Sequence, residues 1–98
     1  MLYEIEYISG MYPTQAEGTI GNKKFYFRYR HNKYRLQVHS TDAIGNFDVR
    51  FFGETDANYD SGYMPTETVL DLIEHCALLV SCGVTTGEHR IDFYNIVN

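Results

Sequence analysis

Six of the eight Lys and Arg residues in this 98-residue chain fall between positions 23 and 35, as Lys23, Lys24, Arg28, Arg30, Lys33 and Arg35. No acid interrupts them, whereas the chain as a whole carries a net charge of −5, so its remainder is strongly acidic. The chemistry available to such a cluster is recognition of anions. In KKFYFRYR the polar set Lys24, Tyr26, Arg28 and Arg30 alternates with Phe25, Phe27 and Tyr29, the period of a half-buried strand. With His31-Asn32 as a two-residue turn, Arg30 faces Lys33, Arg28 faces Arg35, Tyr26 faces Gln37 and Lys24 faces His39. Like charges directly opposite destabilise a sheet. The pattern therefore reads as a set of cations held for an anionic partner, with Tyr26 beside them to stack or hydrogen-bond. The competing reading is neutralisation within the fold, by Glu17 across from Tyr26 and by Asp48 on the other side. A cationic edge that blocks aggregation is a further structural use of such residues.

RNA or single-stranded DNA fits this segment less well than an acidic protein surface does. Such sites expose aromatic rings and cations together, but Phe25, Phe27 and Tyr29 alternate out of phase with the basic side chains. Only Tyr26 is left as a stacking platform, and the glycine-containing pattern of RNA-recognition strands is absent. The negative net charge also argues against indiscriminate adhesion to nucleic acid or anionic membrane.

Asp56, Asn58, Asp60 and Glu67 echo the spacing of a calcium loop. The sixth position of that loop requires Gly for its sharp turn and holds Ser61, so the reading is a structural loop and no metal is expected. Asp and Asn are also ordinary turn residues. Cys76, Cys82 and His89 lack the closely spaced ligand pairs of a zinc site. His75 and Cys76, neighbours on a helix, diverge by about 100° and do not face each other as nucleophile and base. Asp71 and His75 are spaced for a contact on the helix surface, without a nucleophile to complete a triad. Gly18, Gly21 and Gly45 are isolated, and none opens the helix as a phosphate loop would. No catalytic residue and no cofactor is expected.

The elements that position the basic segment follow from periodicity. The expected class is α+β, a four- to five-stranded antiparallel meander packed against one helix, with the sheet mainly in 1–52. Leu2 to Ile8 alternates as a first strand, with Tyr3, Ile5 and Tyr7 on one face and Glu4 and Glu6 on the other. Gln15 to Val38 forms three strands turning at Gly21-Asn22 and His31-Asn32. Phe25, Phe27 and Tyr29, then Tyr34, Leu36 and Val38, then Phe47, Val49 and Phe51 supply the core face. Gly53 to Gly62 is loop in composition. A helix follows from about Thr66 to Cys82, with Val69, Leu72, Ile73, Cys76, Leu79 and Val80 as its apolar stripe and Gly83 as its stop. Residues 90–97 form a strand or a short helix with Ile91 and Phe93 inward. Six residues of helical rise separate Cys76 from Cys82 by roughly 9 Å, beyond disulfide reach, so both are read as reduced and mostly buried.

No apolar run approaches the roughly 18 residues of a membrane span, and Glu4 and Glu6 occupy what would be the apolar part of a signal peptide. The expectation is a cytoplasmic protein, full length from Met1, forming a single domain over 1–98. The stretch AEGTIGNKKFYFRYRHNKYRLQV, followed by GYM and an acidic helix, resembles small bacterial and phage-borne proteins and brings no catalytic motif with it. The expected function is a non-enzymatic binding module, a protein-binding adaptor or inhibitor that sets Lys24, Tyr26, Arg28, Arg30, Lys33 and Arg35 against an acidic protein. The alternative is a small anionic ligand such as a nucleotide, or single-stranded nucleic acid, at the same hairpin.

Overall fold

Strands whose large apolar residues recur at every second position bury one face and leave the other wet. In this protein the alternation runs through β2 (Thr14–Ile20), β3 (Lys23–Arg30), β4 (Lys33–His39) and β5 (Val49–Glu54). With β1 (Tyr3–Ser9) and β6 (Gly87–Arg90) they form one sheet in the order β1-β2-β3-β4-β5-β6, joined by one helix, α1 (Thr66–Ser81), between β5 and β6. The structure, a computed structural model, describes residues 2–9, 14–40, 47–55 and 64–93. No helix among the described residues is long and apolar enough to cross a membrane.

The first five strands pair antiparallel as the meander requires, but the sheet has six strands, and β6 lies parallel to β5. The expectation of four or five antiparallel strands is corrected on both counts. The cause is α1: a helix of 16 residues travels about 24 Å, which returns the chain to the end of the sheet where β5 began. A strand entered from that end must run parallel. It also starts earlier than the expected 90–97, at Gly87, and beyond Arg90 the chain still tracks β5: Ile91 N–H donates to Phe52 O (2.8 Å) and Phe93 N–H to Glu54 O (2.8 Å). Ile91 and Phe93 pack partly buried against the core, as expected.

Both hairpins fall where the turn residues place them. Ile20 pairs with Lys23 across Gly21-Asn22, with Gly21 at φ 64°, and Arg30 pairs with Lys33 across His31-Asn32. His31 and Asn32 both take left-handed backbone (φ 54° and 61°), the form of two-residue turn that matches strand twist. Tyr29 O–H, donating to Asn32 Oδ1 at 2.8 Å, ties that turn to the strand before it.

Ala16, Ile20, Phe25, Phe27, Tyr29, Tyr34, Leu36, Val38, Val49 and Phe51 fill the sheet side of the core, and Met64, Val69, Leu72, Ile73, Cys76 and Ala77 the helix side. Leu79 and Val80, read as part of the stripe, are only partly buried. The helix stops where Gly83 adopts φ 105°. There Gly83 N–H donates to Val80 O and Val84 N–H to Leu79 O, both at 3.0 Å, the paired bonds of a Schellman motif. Cys76 is buried but Cys82 is exposed, which corrects the reading of both thiols as mostly buried. Cys82 is the residue that caps the helix, past the last turn that faces the core.

Two further departures have local causes. Tyr7 was expected beside Tyr3 and Ile5 on the core face, yet it is 53% exposed. A β-bulge follows Ile5, Glu6 is the extra residue, and Ile8 takes the inward place opposite Ala16. The expected loop at Gly53 is instead strand, because β5 continues to Glu54. Gly53 is required there by close approach: a Cβ would lie 2.2 Å from Ile91 O.

Ile73→Ala should lower stability by about 2–5 kcal/mol on chemical denaturation, since Ile73 is fully buried at the helix–sheet contact. A near-neutral effect would place the packing face elsewhere. Gly18→Ala should cost about 1–3 kcal/mol and lower the hydrogen-exchange protection of β1, because its Cβ would stand 1.9 Å from Glu4 O. Unchanged protection in β1 would contradict that contact.

Candidate functional site

The sheet's second face, turned away from α1, is written by the polar half of each strand. Strand register arranges it in rows. One row runs Gln15, Arg28, Arg35, Phe52, Arg90 across β2 to β6, and the next runs Glu17, Tyr26, Gln37, Arg50, Glu88. Arg30, Lys33 and Glu54 form a third, and Thr19, Lys24 and His39 a fourth. All four hairpin oppositions read from the sequence are therefore present, Arg28 with Arg35 and Arg30 with Lys33 among them.

The expected set is brought together, and its members differ in engagement. Lys24, Arg30, Lys33 and Arg35 are exposed, while Tyr26 and Arg28 are half-buried. Tyr26, expected to be available, already donates its O–H to Gln15 Oε1 at 2.9 Å. Among the described residues Arg28, Arg30, Lys33 and Arg35 have no ion-pair partner. The acids near them are committed or out of use. Asp48 pairs with Lys23 (2.9 Å) and accepts a bond from Ser40 (3.3 Å). Glu54 lies opposite Lys33 in register, but its carboxylate is bound by Arg90 at 3.0 Å. Glu17 stands across from Tyr26, as expected, and forms no ion pair with Arg28.

The remaining cations sit on β5 and β6 and are compensated. Arg50 pairs with Glu88, and its guanidinium lies 5.1 Å from the Phe47 ring and 5.7 Å from the Phe52 ring, within cation–π range. Arg90 is shared between Glu54 and Asp92 (3.2 Å), and these two hydrogen bonds, Asp92's first, raise its pKa further. Asp92 is drawn below the usual carboxylate range, chiefly by the Glu54 N–H it accepts at 2.8 Å and then by Arg90. Lys23 does the same to Asp48 by hydrogen bonding. The face thus carries four uncompensated cations on β3–β4, Arg28, Arg30, Lys33 and Arg35, beside a neutralised half on β5–β6.

Two shallow depressions mark the two halves. One, of about 290 Å³, is lined by Arg28, Arg30, Lys33, Tyr34 and Arg35, and the other, of about 330 Å³, by these last three with Arg50, Phe52, Gly53, Glu54 and Arg90. Lys33 and Arg35 border both. Arg50, Phe52 and Arg90 were missed by the sequence reading. The first two were in plain alternation with Val49, Phe51 and Gly53; Arg90 depended on the parallel strand.

The other candidates supply less. Asp56, Asn58 and Asp60 lie outside the described residues, and Glu67 is exposed in the first turn of α1. Among the described residues no group of three or more His, Cys, Asp or Glu is placed to hold a metal ion. Burial pushes the Cys76 thiol up to about 12, so its thiolate is scarce at neutral pH. His75, beside it in sequence, is exposed and meets the Phe93 ring edge-on at 5.1 Å. Tyr34, its pKa raised by burial above all, donates to Ile91 O at 2.7 Å. Compared with family models, curated proteins and solved structures, the chain has no significant match.

Asp92 gives a pH test of the clasp between β5 and the segment after β6. Its pKa is lower folded than unfolded, so its contribution is complete above the unfolded value of about 3.9 and is lost as pH falls through the lower folded value. Asp92→Asn should melt below the wild type at neutral pH, with the gap closing as pH falls below about 4 and through the lowered folded value. A gap that stays constant across that range would show that the carboxylate charge is not what holds the segment.

Proposed function

We propose that the protein is a non-enzymatic binding module whose open sheet face docks an acidic surface of another protein. Arg28, Arg30, Lys33 and Arg35 form the contact, with Lys24 and Tyr26 at its edge. The observation that supports this most directly is the contrast between cations on one face. Arg50 and Arg90 each have an acid, whereas Arg28 opposes Arg35 and Arg30 opposes Lys33 with none among the described residues. A cluster built only to keep the sheet soluble would gain from the same pairing that the other cations receive. Opposed like charges instead raise the energy of the free protein by a few tenths of a kcal/mol per pair, and an acidic partner removes that cost on binding. The shallowness of both depressions suits a protein surface better than an enclosed ligand.

A second reading is a small anionic ligand such as a nucleotide in the same region. It is favoured by Phe52, a half-buried ring bordered by Arg35 and Arg90 in its row, in a depression at the low end of the ligand-pocket range.

Replacing Arg28 and Arg35 together by Gln should weaken binding to a Glu-rich peptide by about two- to thirtyfold, the span of two exposed ion pairs. Wild-type affinity should fall as salt rises, and the melting temperature of the double variant should not drop. A variant that melts lower yet binds the peptide normally would end the reading, since its arginines would then serve the fold.

A further inference from the structure

The two depressions share Lys33 and Arg35 but differ in chemistry, and the difference specifies the partner more closely. On the β3–β4 side four of the lining residues, Arg28, Arg30, Lys33 and Arg35, are cations without an ion-pair partner among the described residues, and Tyr34 completes the lining. On the β5–β6 side the cations are already bound, Arg50 by Glu88 and Arg90 by Glu54 and Asp92, so little net charge is left to attract an acid. What that side adds is the half-buried Phe52 ring, set between Arg35 and Arg90 in its row, with neighbouring strands about 4.8 Å apart.

We infer that this face selects an acidic protein segment that carries an aromatic side chain beside its carboxylates. The carboxylates meet Arg28, Arg35, Arg30 and Lys33, and the aromatic ring lies in the second depression against Phe52. Charge alone would accept any acidic chain; the apolar floor one strand away makes the site discriminate among them. The inference rests on the proposed docking of acidic proteins and adds the ring as its specificity determinant. Phe52 suits this role because its removal leaves the cation cluster intact. Its neighbour Arg50 remains held by Glu88 and by the Phe47 ring.

The test uses two short labelled Glu-rich peptides, identical but for a central Trp or Ser, titrated by fluorescence anisotropy against the wild type, Phe52→Ala and Phe52→Leu. The wild type should bind the Trp peptide about two- to tenfold tighter than the Ser peptide, the span of an aromatic pair. Phe52→Ala should remove that preference without changing affinity for the Ser peptide. Phe52→Leu, which keeps an apolar side chain in case the alanine variant folds poorly, should retain part of it. Equal wild-type affinity for both peptides, or a preference that survives in Phe52→Ala, overturns the inference and leaves acidic docking standing. Failure of both peptides to bind at low salt removes the docking proposal as well. A nucleoside monophosphate that binds tighter than the Trp peptide and is lost in Phe52→Ala would assign the depression to a nucleotide instead.

Discussion

One helix can cover only one face of a sheet, and each sheet-forming segment of this protein is organised around that limit. The apolar half of β2 to β5 meets Val69, Leu72, Ile73, Cys76 and Ala77, and nothing among the described residues packs on the polar half in the same way. The same packing fixes which residues appear on the open face. Moving β3 by one position would bury Arg28 and expose Phe27, an exchange no sheet of this kind survives. The basic cluster is therefore tied to the core: Phe25, Phe27 and Tyr29 hold Lys24, Tyr26, Arg28 and Arg30 outward because they themselves must point inward.

The helix also decides the sheet's far side. Because α1 carries the chain back to the start of β5, β6 enters parallel and brings Glu88, Arg90 and Asp92 beside β5. Those residues neutralise one another and neighbours on β5, so the open face is electrostatically divided. Charge is satisfied where the crossover strand docks, while Arg28, Arg30, Lys33 and Arg35 on the β3–β4 hairpin have no ion-pair partner among the described residues. The half-buried Phe52 ring and the uncompensated cations then lie next to each other, with Lys33 and Arg35 lining both depressions.

Much of this was legible in the sequence because its governing signals are local. Turn residues Gly21-Asn22 and His31-Asn32 set the register of β2 to β4, and strict alternation set the faces, so the oppositions of Arg28 with Arg35 and Arg30 with Lys33 follow from counting. What was not legible depends on contacts between distant segments. The bulge after Ile5 that turns Tyr7 outward answers the pairing with β2, where Gly18 leaves no room beside Glu4 O. Gly53 reads as a loop residue until Ile91 is seen against it. The direction of β6, and with it Arg90 in the site, required the path of the helix.

The proposed docking depends on Arg28 and Arg35 opposing each other without compensation in the free protein. A double-mutant cycle on folding stability measures this directly, using Arg28→Gln, Arg35→Gln and both together, at low and at high salt. The expected result is an unfavourable coupling of a few tenths of a kcal/mol at low salt that fades toward about 1 M, where the screening length is about 3 Å. A zero or favourable coupling at low salt would mean that the two charges are satisfied within the fold, and would contradict it.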